Sequence, residues 1–244
     1  MKQTINPKAY AKLSGLLYFL IAICGGFSIG YVPSVIVAEG DAAQTAQNII
    51  EHAGLLRFGI FSDILIILME LVVLVLLYQL FKPVNKTISL VAALSRLGMA
   101  IIMGFNLLNL LLPIFLLSGS PYLNGFDTQQ LQALTMLSLE AHHYGILAWG
   151  VFFGLHLVGL GYLVLRSTFV PKLLGQLLLL GSIGYLLESF SVLVVPEQQV
   201  ISWIASGLLV VVTIAELSFT FYLLIKGLDA EKWNAIFEKN QIAE

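Results

Sequence analysis

Long, mostly apolar runs flanked by lysine, arginine or proline set the pattern of the chain. A bilayer crossing takes about 20 mostly apolar residues in a helix. Six runs meet that length: 13–38, 58–81, 88–117, 134–165, 173–195 and 201–225. The first follows Lys2, Lys8 and Lys12, as a signal peptide's core would. It far exceeds the ~7–15 residues of such a core and reads as a retained first helix. Three segments lie outside the spans. Asp41 with Gln44 forms a capping pair before Ala42, Ala46, Ile49, Ile50 and Ala53, which recur at helical spacing and predict a short surface helix. Pro121 and Asn124-Gly125 are turn signals, and Asp127 with Gln130 is a second capping pair. A fourth helix starting there would have 38 residues to Leu165, about 57 Å, so its first turns project from the ~30 Å core or bend. After Gly227, residues 229–240 place Trp233, Ile236 and Phe237 on one side, with Lys232 and Lys239 available to headgroups. That predicts an interfacial tail helix.

Composition narrows the class. Apolar residues make up 59% of the 244 and charged residues 11%, against about 45–50% and ~25% in soluble domains. So little charge cannot cover a soluble surface, and so apolar a chain is not disordered. A net charge of -2 carries no basic footprint for nucleic acid. A single cysteine, Cys24, excludes an intrachain disulfide and a cysteine-based metal site. The expected fold is all-α, a polytopic helical membrane bundle forming one transmembrane domain over 1–244. Alternating the spans puts Lys2, Lys8, Lys12, Lys82, Lys86, Arg166, Lys172, Lys226, Lys232 and Lys239 on one side. The other side holds only Arg57, beside Glu39, Asp41, Glu51, Asp127 and Glu197. The positive-inside rule then predicts a cell-membrane protein with both termini cytoplasmic.

Several motifs carry a family resemblance. They are Gly161-Tyr162-Leu163, Arg166-Ser167, Pro171 and Leu174-Gly175, with Leu56-Arg57-Phe58-Gly59, Asp63 and Leu80-Phe81-Lys82-Pro83-Val84-Asn85 in the second span. Together with Arg96 in the third span, they resemble a prokaryotic family of six-span membrane proteins, domain of unknown function 4386. The likeness runs from Leu13 to about Pro196. It implies the six-span topology and brings no activity with it.

Candidate chemistry lies in the charges within the spans, since each costs about 2.5–3.5 kcal/mol to insert and marks a functional site by default. They are Asp63 and Glu70 in the second span, Arg96 in the third, Glu188 in the fifth and Glu216 in the sixth, with His156 in the fourth. Arg96, His156 and Glu216 each lie ten residues from a basic residue at the cytoplasmic edge, about 15 Å deep, and Glu70 lies about 18 Å deep. Four helices thus bring polar groups to nearly one level, with Glu188 and Asp63 above it. Arg96 is expected to face inward and pair with Glu70 or Glu216. Four acids against one arginine leave a surplus that must hold a proton, meet water or bind a cation. A further polar cluster is expected near the outer end: Asn106, Asn109, Glu140, His142 and His143. Its Glu140-x-x-His143 has the spacing of di-iron bundle sites, but no second such motif exists. No nucleophile, Walker or dinucleotide motif occurs, so no catalytic residue, cofactor or metal is expected.

The leading expectation is a small binding or transport protein with an acidic intramembrane cavity for a proton, a cation or a small polar solute. The alternative is a regulatory or scaffold membrane protein whose charges are packing devices. An intramembrane enzyme is the least supported class. The expected partners are the lipid bilayer and that proton, cation or solute.

Overall fold

The computed structural model describes residues 6–243. Lys2 of the basic N-terminal cluster lies outside them. The described residues are helical, without strands. Six of their helices are long and apolar enough to cross a membrane: α1 (Pro7–Ile36), α3 (Ala53–Phe81), α4 (Lys86–Leu116), α5 (Thr128–Arg166), α6 (Lys172–Leu193) and α7 (Gln199–Lys226). The described residues also hold two shorter α-helices, α2 (Ala42–Glu51) and α8 (Ala230–Ala243), and a 3-10 turn at Pro121–Leu123.

The helix starts follow from local chemistry. At α2 the Gln44 amide donates to Asp41 Oδ1 at 2.8 Å. At α5 the cap is reciprocal: the Gln130 amide donates to Asp127 Oδ1 (2.8 Å), and the Asp127 amide donates to Gln130 Oε1 (2.9 Å). This fixes the start of the 39-residue α5 at Thr128. At α4 the Ile88 amide donates to Asn85 Oδ1 (2.9 Å). Within α1, residues Gly26–Tyr31 widen into a π-helical turn, a distortion frequent at functional sites.

By packing, the chain divides into two compact units. The first comprises the chain up to Leu20, Met69–Ala100 and the chain from Leu147 onward; the second comprises Ile21–Leu68 and Ile101–Ile146.

The first unit is held by close backbone contacts at glycines. Gly161 on α5 and Gly175 on α6 face each other so closely that a Cβ on either would lie within 3 Å of the other's carbonyl oxygen. Gly181 and Gly184 admit Val212 and Leu208 of α7, and Gly15 on α1 abuts the backbone at Leu223 and Leu224. Membrane helices gain packing contact in this way, because lipid offers no hydrophobic drive between them. Helix α8 belongs to this unit. Trp233 is 2% exposed and its indole Nε1 donates to the Leu80 carbonyl at 2.8 Å. Asn240 donates to the Pro83 carbonyl (2.5 Å), and Phe237 stacks on Trp233. The start of α8 is fixed by Asp229, which accepts from the Lys232 amide (3.2 Å) and pairs with its ammonium (2.9 Å). Lys232 holds the Asp229 carboxyl below the usual carboxylate range.

In the second unit, Val32, Ile36, Ile49, Leu56 and Ile60 form an apolar core drawn from α1, α2 and α3. Helix α2 is tied to the end of α1 by Asn48, which donates to the Ile36 carbonyl (3.1 Å), and by Thr45, whose hydroxyl bonds the backbone of Ala38.

Candidate functional site

Four helices of the first unit deliver one buried polar network. Arg96 on α4 is 1% exposed, Glu70 on α3 is 5%, Tyr18 on α1 is 7% and His156 on α5 is 1%. Arg96 Nε lies 2.5 Å from Glu70 Oε2, an ion pair by distance that lacks the directionality of a hydrogen bond. Arg96 Nη1 donates to Tyr18 Oη (2.5 Å) and to His156 Nε2 (2.9 Å). The guanidinium also lies over the Tyr18 ring, 4.5 Å from its centroid.

These contacts fix the histidine tautomer. A guanidinium offers only donors, so His156 Nε2 must accept. The ring proton then sits on Nδ1, which donates to the Ala92 carbonyl at 2.8 Å. His156 is therefore a neutral acceptor wedged between α4 and an aromatic stack of Phe153, Trp149 and Tyr185. The void it borders, beside Tyr78, Ser89 and Ala92, is about 10 Å³, room for about one water.

Glu216 on α7 stands close enough to both Arg96 and Glu70 to feel their charges. Its Oε1 is buried and has no hydrogen-bond partner, and neither does Arg96 Nη2. Buried polar atoms are nearly always satisfied, so an unsatisfied donor and acceptor in one network set this place apart from the rest of the interior. Glu188 on α6 is half-buried and acts electrostatically, with Glu216, on Tyr185.

The remaining residues singled out in the sequence belong to the second unit. Asp63 is 2% exposed and lies beside Ser28 of the π-helical turn. Neither Ser28 Oγ nor Asp63 Oδ1 meets hydrogen-bond geometry with any partner. Asn106 clamps α4 to α5: its Nδ2 donates to the His142 carbonyl (2.9 Å), and His142 Nδ1 donates to the Asn106 carbonyl (3.3 Å). Asn109 Nδ2 supports it by donating to Asn106 Oδ1 (2.9 Å). Gly145 makes the clamp possible, since a Cβ there would overlap the Asn106 amide. Glu140, His142 and His143 instead line a cavity of about 990 Å³.

Sequence reasoning passed over Tyr18, Tyr185 and Ser28. Tyrosine and serine carry no charge that lipid penalises, so nothing in an apolar run sets them apart. The signal for Tyr18 was its place in the first span, six residues from Lys12.

Six helices long and apolar enough to cross a membrane, with charged residues buried among them, define a multi-pass helical membrane protein. The chain belongs to the family described as Domain of unknown function (DUF4386), which matches residues 13–227. It is 32% identical over 171 residues to an uncharacterized protein of Archaeoglobus fulgidus, covering 70% of this chain and 84% of that relative. No solved structure matches the chain. The glycines and the arginine that carry the resemblance have a physical role in this chain. Gly161 and Gly175 are the close contact of α5 with α6, and Arg96 is the centre of the network.

Proposed function

We propose that this is a proton-handling binding or transport protein of the cell membrane. Glu216 is its proton-carrying group, and the Arg96–Glu70 pair is its fixed neighbour. The observation that carries the reading is the buried Oε1 of Glu216, without a hydrogen-bond partner, beside a guanidinium already paired with Glu70. One arginine and two carboxylates sum to one surplus negative charge, and an uncompensated charge in a low-dielectric interior costs several kcal/mol. A single proton removes it.

A proton suits the site better than a larger ion does. Among the described residues no group of three or more His, Cys, Asp or Glu is placed to hold a metal ion. The orientation follows the charge asymmetry: ten of the twelve basic residues fall on the side that carries both termini, which the positive-inside rule makes cytoplasmic.

Infrared spectroscopy of the purified protein tests the proton on Glu216. The reading predicts a protonated-carboxyl absorption that disappears in Glu216→Gln and persists in Glu238→Gln, a change on the exposed face of α8. A band unchanged in Glu216→Gln, or no such band in the wild type, contradicts it.

A further inference from the structure

We propose that the second unit binds a small amphipathic organic monocation, an amine on an apolar body, in the cavity beside the π-helical turn of α1. The inference concerns a different unit and rests on different atoms from the reading above.

The cavity is about 990 Å³, at the upper end of the range of small-molecule sites. Most of its wall is apolar, with Val32, Ile36, Leu56 and Ile60 presenting the unit's core. Its carboxylates outnumber its fixed cations. Glu39 and Glu140 line it, with His142, His143, Ser34 and Tyr144 as further polar groups, and among the described residues no Lys or Arg does. An anion would meet two carboxylates and no lysine or arginine.

The chemistry of the head group is set at Ser28. This residue lines the cavity, is 7% exposed, and leaves its Oγ without a partner. Beside it stands Asp63, 2% exposed, with Oδ1 likewise unpartnered. The Ser28 hydroxyl already stands within reach of Asp63, so an ammonium N–H donated to Ser28 Oγ would complete a chain of bonds from ligand to hydroxyl to carboxylate. The carboxylate behind the hydroxyl would balance the ligand's charge. A lipid tail in the same space would leave Ser28 and Asp63 as they are. The π-helical turn at Gly26–Tyr31 is what sets Ser28, Ile29 and Val32 along the wall. Such turns are rare and occur frequently at functional sites.

The test is calorimetric titration of the full-length protein in phosphatidylcholine nanodiscs. The probe is 4-phenylbutylamine, compared with 4-phenylbutanol and 4-phenylbutanoate. Saturable amine binding is expected, with the alcohol about tenfold weaker, the worth of one charge-assisted hydrogen bond, and no measurable binding of the acid. Ser28→Ala and Asp63→Asn should each weaken the amine about tenfold while leaving the alcohol unchanged. Glu238→Gln should change neither. Equal heats for amine and alcohol, or amine affinity unaltered in both Ser28→Ala and Asp63→Asn, would overturn the proposal. So would a lipid seen by native mass spectrometry to stay bound to wild type and Ser28→Ala at saturating amine, which would assign the cavity to lipid. Amine binding without a protonated Glu216, or the reverse, separates this proposal from the preceding one.

Discussion

Arg96 directs its donors to three other helices through Glu70, Tyr18 and His156. Removing it therefore strands more than one partner. Arg96→Ala leaves the Glu70 carboxylate buried and unpaired, and breaking such a pair costs about 3–5 kcal/mol. Replacing both ends with methionine removes the stranded charge, and such swaps are often near neutral. Unfolding of the purified protein in detergent should show a large loss for Arg96→Ala and a much smaller one for Arg96→Met with Glu70→Met. Equal losses would mean that Arg96 contributes mainly by filling space. The charged half of this network was legible in the sequence, because lipid makes every charge conspicuous and helical rise turns sequence position into depth. The rest was not. Tyr18 looks like any aromatic in an apolar run, and the Ala92 carbonyl that fixes the His156 tautomer belongs to a residue with no polar side chain.

At the scale of elements, each apolar run falls on one of the six long helices, with starts up to six residues earlier than the run, since length and polarity are what the bilayer selects. The start of α5 was readable from Asp127 and Gln130 because that motif satisfies its own amides. The docking of α8 was harder to read. Trp233, Ile236 and Phe237 on one side suit a membrane surface and a protein surface equally, and nothing in the sequence points the Trp233 indole to the Leu80 carbonyl. Glycine was ambiguous in the same way, since sequence does not show which glycines meet a backbone. Gly175→Ala pushes a Cβ against the Gly161 carbonyl and should cost about 1–3 kcal/mol by overpacking. A Cβ at Gly207 meets nothing within 4 Å, so Gly207→Ala should be neutral or slightly stabilising, by up to about 1 kcal/mol. Comparable losses at both positions in thermal unfolding would remove the close-packing account of the α5–α6 contact.

For the whole molecule, the asymmetry of lysine and arginine makes a definite statement about the living membrane. In a Cys24→Ser background, a cysteine at Glu197 should react with a membrane-impermeant thiol reagent added to intact cells. One at Lys172 should react only after the cells are opened. The opposite pattern would invert the topology. The central claim is that the surplus acid beside Arg96 carries a proton in function. Purified protein in sealed liposomes, loaded with a pH-sensitive dye and given a pH gradient with the membrane potential clamped, measures this directly. Wild type and Glu238→Gln should move protons well above protein-free liposomes, and Glu216→Gln should fall to the protein-free rate. Wild-type flux no greater than that of protein-free liposomes, or full flux in Glu216→Gln, would contradict it.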